Sequence, residues 1–258
     1  MTTRDNPWNA GTPCWVDLMS PDLDGSRDFY GALFGWEFDI GSAEFGGYTM
    51  CRMGDRFVAG LGPVMQAGHP TVWTTYLATD DVSATAERIA AAGGEVLTPP
   101  MEVAGVGHML VARDATGGTF AAWQSGEHHG FGLANEPGSV VWNEFLTRDF
   151  AGAQKFYAQV EGYSYDDMSN DDGHYAMFKV GDDVAGGIGD MPPGVPDQVP
   201  SFWNVYFNVA DTDTTVAKAV ELGGTVAVPA TDMPYGRFAN LVDPQGGAFS
   251  ILRQPHQG

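Results

Sequence analysis

The chain contains one sequence pattern twice, and this limits the folds that it can adopt. The segment DLDGSRDFY at 22–30 recurs as DFAGAQKFY at 149–157, which is 127 positions later. The offset increases by three residues after a Pro-rich segment at 191–200. It then decreases by one before the turn DPQGG at 243–247, which repeats DATGG at 114–118. Such small changes over 258 residues indicate two copies of one module joined head to tail.

The repeat predicts the domain organisation. We expect an N-terminal module at 1–127, a linker at 128–137 and a C-terminal module at 138–258. Within the first module, apolar periodicity and turn residues predict helices at about 24–34 and 82–92. They also predict strands at 14–19, 48–53, 57–62, 72–78, 107–113 and 119–124. This order is typical of an α+β fold in which helices cover one face of curved mixed sheets.

The charge balance excludes several kinds of partner. The 33 Asp and Glu residues exceed the 12 Lys and Arg residues, giving a formal charge of −21. Nucleic acids and anionic membranes both require a basic surface, so we expect neither as a partner. No run of about 18 apolar residues is present, and the first residues lack the apolar stretch of a signal peptide. We therefore expect a cytoplasmic protein, either a monomer or a homodimer, that acts on a small molecule.

Three motifs resemble one known family. They are DLDGSRDFYGALFG at 22–35, AAGG at 91–94 and DPQG at 243–246. Together they resemble the glyoxalase, bleomycin-resistance and extradiol-dioxygenase superfamily, also called vicinal oxygen chelate. The segments GTPCWVDL at 11–18 and WNE at 142–144 are similar to those of two-module actinobacterial members described as glyoxalase-like or hydroxylase-like. The resemblance implies two fused modules of paired βαβββ units whose sheets form concave cups. It does not define the reaction, because the superfamily includes isomerases, dioxygenases, epimerases, thiol transferases and drug-binding proteins.

The resemblance also implies where a metal would bind. Superfamily enzymes usually hold a divalent ion with His, Gln or Glu side chains on three strands of a cup. The corresponding positions here are Trp15, Thr74 and Ala121 in the first module, and Trp142, Asn204 and Ser250 in the second. A divalent ion needs several converging imidazole or carboxylate donors, so we expect no metal at these positions and no other cofactor. We expect His69, His108 and His174 to face solvent or to form ordinary hydrogen bonds, and His128 and His129 to lie in the linker.

Strand alternation predicts what the cups contain instead. Residues two apart on a strand share a face, so Asp17 should accompany Trp15, and Glu144 should accompany Trp142. The same rule adds Tyr76, Tyr206 and Trp123 to the concave faces, together with Asn204. Since Asp17 and Glu144 are equivalent in the repeat, we expect them to approach each other near the pseudo-twofold axis. Burial among aromatic rings should raise their proton affinity and suit them to general acid or base catalysis.

These patterns leave several hypotheses open. The leading one is a metal-independent protein that binds a planar, largely apolar or aromatic molecule. Trp15, Trp142, Tyr76, Tyr206, Trp123 and Asn204 would bind the ligand, and Asp17 and Glu144 would catalyse a proton transfer or a hydroxylase-type step. The alternative is a binding protein that sequesters a drug or antibiotic without chemistry, and the least favoured is a metal-dependent glyoxalase or dioxygenase. The carboxylates could also be structural hydrogen-bond acceptors, and the aromatic rings could fill the cups as core.

Overall fold

Each module consists of two βαβββ units. A computed structural model describes residues 2–43, 46–64, 68–103 and 105–255. Before the first unit lies a short strand β1 (Thr2–Thr3). The first unit comprises β2 (Pro13–Ser20), α1 (Leu23–Phe34), β3 (Glu37–Ile40), β4 (Thr49–Met53) and β5 (Arg56–Pro63). The second comprises β6 (Val72–Ala78), α2 (Val82–Ala91), β7 (Glu95–Val103), β8 (Gly107–Arg113) and β9 (Thr119–Ser125).

The C-terminal module repeats this order after a short strand β10 (Leu133–Ala134) that pairs with β1. Its first unit comprises β11 (Val140–Thr147), α3 (Phe150–Glu161), β12 (Ser164–Asp167), β13 (Tyr175–Val180) and β14 (Asp183–Asp190). Its second unit comprises β15 (Phe202–Asn208), α4 (Thr212–Glu221), β16 (Thr225–Met233), β17 (Gly236–Val242) and β18 (Ala248–Arg253). The α+β fold and the helices predicted for the first module are confirmed, whereas the sequence patterns missed β3 and β7.

The two units of a module join side by side into one curved mixed sheet. In the first module β2 runs parallel to β5 and antiparallel to β6, which in turn runs parallel to β9. The second module repeats this arrangement with β11, β14, β15 and β18. We call the concave face of the first sheet the first cup and that of the second sheet the second cup.

Aspartates at equivalent positions start all four described helices. The carboxylates of Asp22, Asp81, Asp149 and Asp211 accept hydrogen bonds from backbone N–H groups in the first turn. Such N-caps satisfy donors that have no partner inside the helix. Gly35 and Gly162 end α1 and α3 in the left-handed conformation, with φ of 75° and 74°. The repeated Asp residues therefore start the four helices, and the repeated Gly residues end the first helix of each module.

The segment between the modules lies along the first module. Phe131 donates its backbone N–H to Cys14 at 2.8 Å, and Gly132 donates its own to Phe57 at 2.9 Å. Within the part of the chain that the structure describes, no helix is long and apolar enough to cross a membrane.

Candidate functional site

The first cup holds a carboxylate bonded by two tyrosines. Trp15 and Asp17 lie on one face of β2, as strand alternation predicts, and Tyr76 faces them from β6. Asp17 Oδ2 accepts hydrogen bonds from the hydroxyls of Tyr76 at 2.8 Å and Tyr48 at 3.2 Å. The Trp15 indole N–H donates to the Tyr48 hydroxyl at 3.1 Å. These four side chains form a connected Trp–Tyr–carboxylate–Tyr cluster.

The second cup contains the same cluster. Glu144 Oε2 accepts a hydrogen bond from the Tyr206 hydroxyl at 2.9 Å, and Tyr175 also hydrogen-bonds this carboxylate. The indole N–H of Trp142 donates to the Tyr175 hydroxyl at 3.2 Å. The clusters differ by one methylene, because the first uses aspartate and the second glutamate.

Two glycines make room for the tyrosines that sequence reasoning missed. A Cβ at Gly60 would overlap the Tyr48 hydroxyl, and a Cβ at Gly187 would overlap that of Tyr175. Gly60 pairs with Asp17, and Gly187 pairs with Glu144, in the parallel registers of the two modules. The sequence repeat already indicated that these tyrosines and glycines are equivalent. It aligns Tyr48 with Tyr175, and one Gly-x-Gly segment with the other.

The two cups differ in how far they are open. In the first cup the exposed fractions are 3% for Trp15, 2% for Asp17 and 6% for Tyr76. In the second cup Tyr206 is buried, whereas Trp142, Glu144 and Tyr175 are partly exposed. Trp15, Asp17 and Tyr76 are therefore almost completely shielded from solvent, with Tyr48 partly exposed, whereas three of the four residues of the second cluster are partly exposed.

The rings that close the first cup include a histidine. The His128 ring packs edge-on against Trp15 with centroids 4.5 Å apart, and against Trp123 at 5.5 Å. The Trp123 indole N–H donates to the His128 carbonyl at 2.9 Å. Burial lowers the pKa of His128 to about 4. This linker residue is thus part of the wall of the first cup, a contact that the sequence does not reveal.

Burial changes the acidity of both carboxyl groups. Burial raises the pKa of Asp17 to about 7, although the hydrogen bonds from Tyr76 and Tyr48 act in the opposite direction. Burial also raises the pKa of Glu144, opposed by the bonds from Tyr206 and Tyr175. A carboxyl group of raised pKa can accept or release a proton near neutral pH.

The expected approach of Asp17 to Glu144 is wrong. Each carboxylate is bonded within its own module, and β6, β9 and β15 lie between β2 and β11 in the sheet order. Neighbouring strands in a sheet are about 4.8 Å apart. Four such spacings separate β2 from β11, so the two carboxylates lie in separate cups. The arginines Arg113 and Arg237 pair with other carboxylates, Glu95 and Asp213.

The six positions implied for metal ligands carry poor donors. In the second cup Asn204 donates to Ser250 at 2.8 Å, and Ser250 donates to Asn240 at 2.9 Å, so these polar groups bond one another. In the first cup Thr74 pairs with Asp17 across the strands, and Ala121 is fully buried. Among the described residues, no three His, Cys, Asp or Glu side chains group together as a metal site. An indole, an alkyl group and neutral amide or hydroxyl oxygens do not fit a resident divalent ion.

Comparisons with known proteins establish the family. The profile of the glyoxalase/bleomycin resistance protein/dioxygenase superfamily matches residues 14–122, and that of a glyoxalase-like domain matches residues 139–252. The chain is 39% identical over 261 residues to CFP32 of Mycobacterium tuberculosis, whose assigned name proposes a glyoxylase; the match covers 98% of this chain and 99% of that protein. The chain therefore belongs to the glyoxalase/bleomycin resistance protein/dioxygenase superfamily, as the sequence motifs predict.

Other relatives show how varied this superfamily is. The chain is 39% identical to the anthracycline biosynthesis protein DnrV of Streptomyces peucetius, over 94% of this chain and 93% of that one. Its fold is similar to that of a Mn(II)-bound glyoxalase from Novosphingobium aromaticivorans, with a TM-score of 0.66, 17% identity, and coverage of 95% of this chain and 82% of the other. A 2,2',3-trihydroxybiphenyl 1,2-dioxygenase from Sphingomonas wittichii gives a TM-score of 0.65 at 14% identity, covering 95% and 91%. The structural likenesses show the fold alone.

Proposed function

We propose that this protein binds a planar, largely apolar or aromatic small molecule in its second cup. In this proposal the ligand stacks on Trp142 and Tyr206, and Asn204 binds a polar group at its edge. The observation that carries the proposal is that Glu144, which is hydrogen-bonded among aromatic side chains, and its neighbours Trp142 and Tyr175 are partly exposed residues. Aromatic walls with a few placed polar groups are typical of small-molecule sites.

The chemistry that this site favours is proton transfer. Glu144 would take a proton from an acidic C–H or O–H group of the ligand and return it to the same or another atom. The hydroxyls of Tyr206 and Tyr175 would stabilise the carboxylate before the transfer. A resident metal has no part in this proposal, because Trp142, Asn204 and Ser250 do not supply the donors that it needs.

A named relative supports the ligand class. DnrV is described as an anthracycline biosynthesis protein. Anthracyclines contain a planar fused-ring system, which matches the shape that stacked aromatic walls select. Only the planar shape of the ligand is proposed for the present chain, since an equally similar relative has a different name.

Native mass spectrometry of freshly purified protein tests the ligand class, because it detects a retained metabolite directly. Glu144→Gln and Trp142→Ala should each weaken its binding at least tenfold, whereas Asp17→Asn, the matched change in the first cup, should leave it unchanged. If Asp17→Asn weakens binding and Glu144→Gln does not, the second cup is not the site.

A second measurement separates catalysis from sequestration. The ligand is incubated with the protein in D2O, and its carbon-bound deuterium is measured by mass spectrometry. Proton transfer by Glu144 predicts incorporation that Glu144→Gln abolishes. Binding without incorporation would support the sequestering alternative, for which the partly open second cup is the favouring observation.

A further inference from the structure

We infer that the first cup is a second ligand site. The His128 ring closes this site by occupying the place that a ring of the ligand would take. Its ligand would be a neutral, planar aromatic molecule with one hydrogen-bond donor, and the donor would bind Asp17. This inference does not depend on the proposed function of the second cup.

The first observation is an unused oxygen atom on a deeply buried carboxyl group. Both tyrosine hydroxyls bond Asp17 Oδ2, and Asp17 Oδ1 is buried without a hydrogen-bond partner among the described residues. An unsatisfied buried polar atom lowers stability, so a donor placed against Oδ1 would gain more than an ordinary hydrogen bond. The carboxylate is therefore prepared to accept one further N–H or O–H group.

The second observation is the environment of His128. Its ring lies edge-on to Trp15 and Trp123 and packs against Phe57 with centroids 6.2 Å apart. Its Nε2 atom is buried and has no partner among the described residues. The His128 ring fills the space between the rings of Trp15, Trp123 and Phe57, but its Nε2 atom forms no hydrogen bond there with any described residue. A planar molecule without such an unpaired atom could therefore replace it.

The third observation is how the segment that carries His128 is held. We call residues 126–131 the strap. Gly126 and His128 both donate their backbone N–H groups to the Val106 carbonyl, at 3.1 and 3.0 Å. A cavity of about 190 Å³ lies beside the strap, lined by Trp8, Thr79, Trp123, Ser125 and His129. This volume is several times the roughly 30 Å³ that one water occupies, so the strap is not closely packed on this side.

The charges around the cup define the ligand class. A ligand anion would meet the Asp17 carboxylate and a protein whose formal charge is −21. A ligand cation would lose its hydration among the rings of Trp15, Tyr48 and Tyr76, which surround Asp17. A neutral phenol or a cyclic amide satisfies Asp17 Oδ1 and stacks on the rings.

The strap should lower the apparent affinity of the first cup for its ligand. When the binding-competent state is only a fraction of the population, the apparent dissociation constant rises by the inverse of that fraction. Removing the His128 ring should therefore tighten binding. His129, the next residue, is the matched control because its ring bonds Ser125 outside the aromatic slot, with Nδ1 and Oγ 2.8 Å apart.

The test uses 2-naphthol, a planar molecule with one O–H donor, titrated by calorimetry into protein carrying Trp142→Ala. This background removes a wall of the second cup, so a failure of the proposed function does not affect the result. Adding His128→Ala should raise the affinity for 2-naphthol at least tenfold, and His129→Ala should leave it unchanged. The gain should disappear with 2-methoxynaphthalene, which lacks the donor, and with Asp17→Asn.

A measurement on the wild-type protein keeps the test independent of any loss of stability. The His128 ring protons should be shifted in NMR spectra by the neighbouring Trp15 and Trp123 rings, and 2-naphthol should return them toward ordinary positions. The inference is overturned if these resonances do not respond at saturating 2-naphthol. It is also overturned if the gain from His128→Ala is equal for both naphthalenes, since the variant would then contain only an apolar hole.

Discussion

Tyr30, on helix α1 of the first module, donates a 2.8 Å hydrogen bond to Asp243, which lies in the turn before β18 of the second module. Tyr157 makes the reciprocal contact, donating to Asp114 of the first module at 2.9 Å. Each aspartate also accepts backbone N–H groups of its own turn. The repeated turn near the end of each module therefore bonds a helix of the other module.

Tyr30→Phe should destabilise the protein by about 1–3 kcal/mol. The change leaves the buried Asp243 carboxylate with one acceptor unsatisfied, and it removes the oxygen to which the Trp73 indole donates at 3.1 Å. Urea unfolding measures the loss. Tyr235→Phe is the control, because Tyr235 is 53% exposed, and it should change stability by less than about 0.5 kcal/mol. Equal effects of the two variants would contradict a stabilising role for the contact between modules.

Asp17 should make the folded state less stable as the pH rises from about 4 to 7. Folding raises its pKa from an ordinary 3.8 to about 7, so in this range the native state keeps a proton that the unfolded state has lost. Over about three pH units, at about 1.4 kcal/mol each, the loss amounts to as much as about 4 kcal/mol. Chemical unfolding of wild type and Asp17→Asn at several pH values isolates this contribution. The variant should gain stability relative to wild type as the pH rises, and a constant difference would contradict the prediction.

The sequence predicted the fold and much of each cluster, because both depend on local patterns. Strand alternation placed Asp17 with Tyr76, and Glu144 with Tyr206, and their hydrogen bonds confirm that these side chains meet. Strand β3 was missed because its side chains are largely exposed and give no apolar alternation.

The remaining parts of the cups depend on contacts between distant segments. Tyr48, the residue before β4, reaches Asp17 across the intervening strand β5, and no local period predicts that its side chain passes over a glycine there. His128 reaches Trp15 because the strap folds back over the first module. The paired recurrence of Tyr48 and Tyr175 was visible, but only the structure shows that their hydroxyls bond the carboxylates.

Gly187→Ala should impair ligand binding in the second cup. The new Cβ would overlap the Tyr175 hydroxyl and lie 3.1 Å from the Trp142 indole nitrogen, so both rings must move. We expect at least a tenfold loss of affinity for the retained ligand, measured by titration calorimetry. Gly60→Ala, the equivalent change in the first cup, is the matched control and should leave that affinity unchanged. The reverse pattern would assign the retained ligand to the first cup.

The second cup should bind a divalent metal only after stronger metal ligands replace three of its side chains. The resemblance implies metal-ligand positions at Trp142, Asn204 and Ser250, and the side chains of Asn204 and Ser250 already meet at 2.8 Å. We expect elemental analysis of protein purified without a His tag to give far less than one divalent ion per chain, and glyoxalase activity near background. A variant with Trp142→His, Asn204→His and Ser250→Glu is the gain-of-site control, since it supplies three strong donors in the same cup. It should bind Zn²⁺ or Mn²⁺ with a stoichiometry near one. The contrary result would be one divalent ion per wild-type chain that is retained during purification, and whose release by a chelator abolishes an activity. Other residues would then hold a metal, and the conclusion that this chain lacks suitable donors would be wrong.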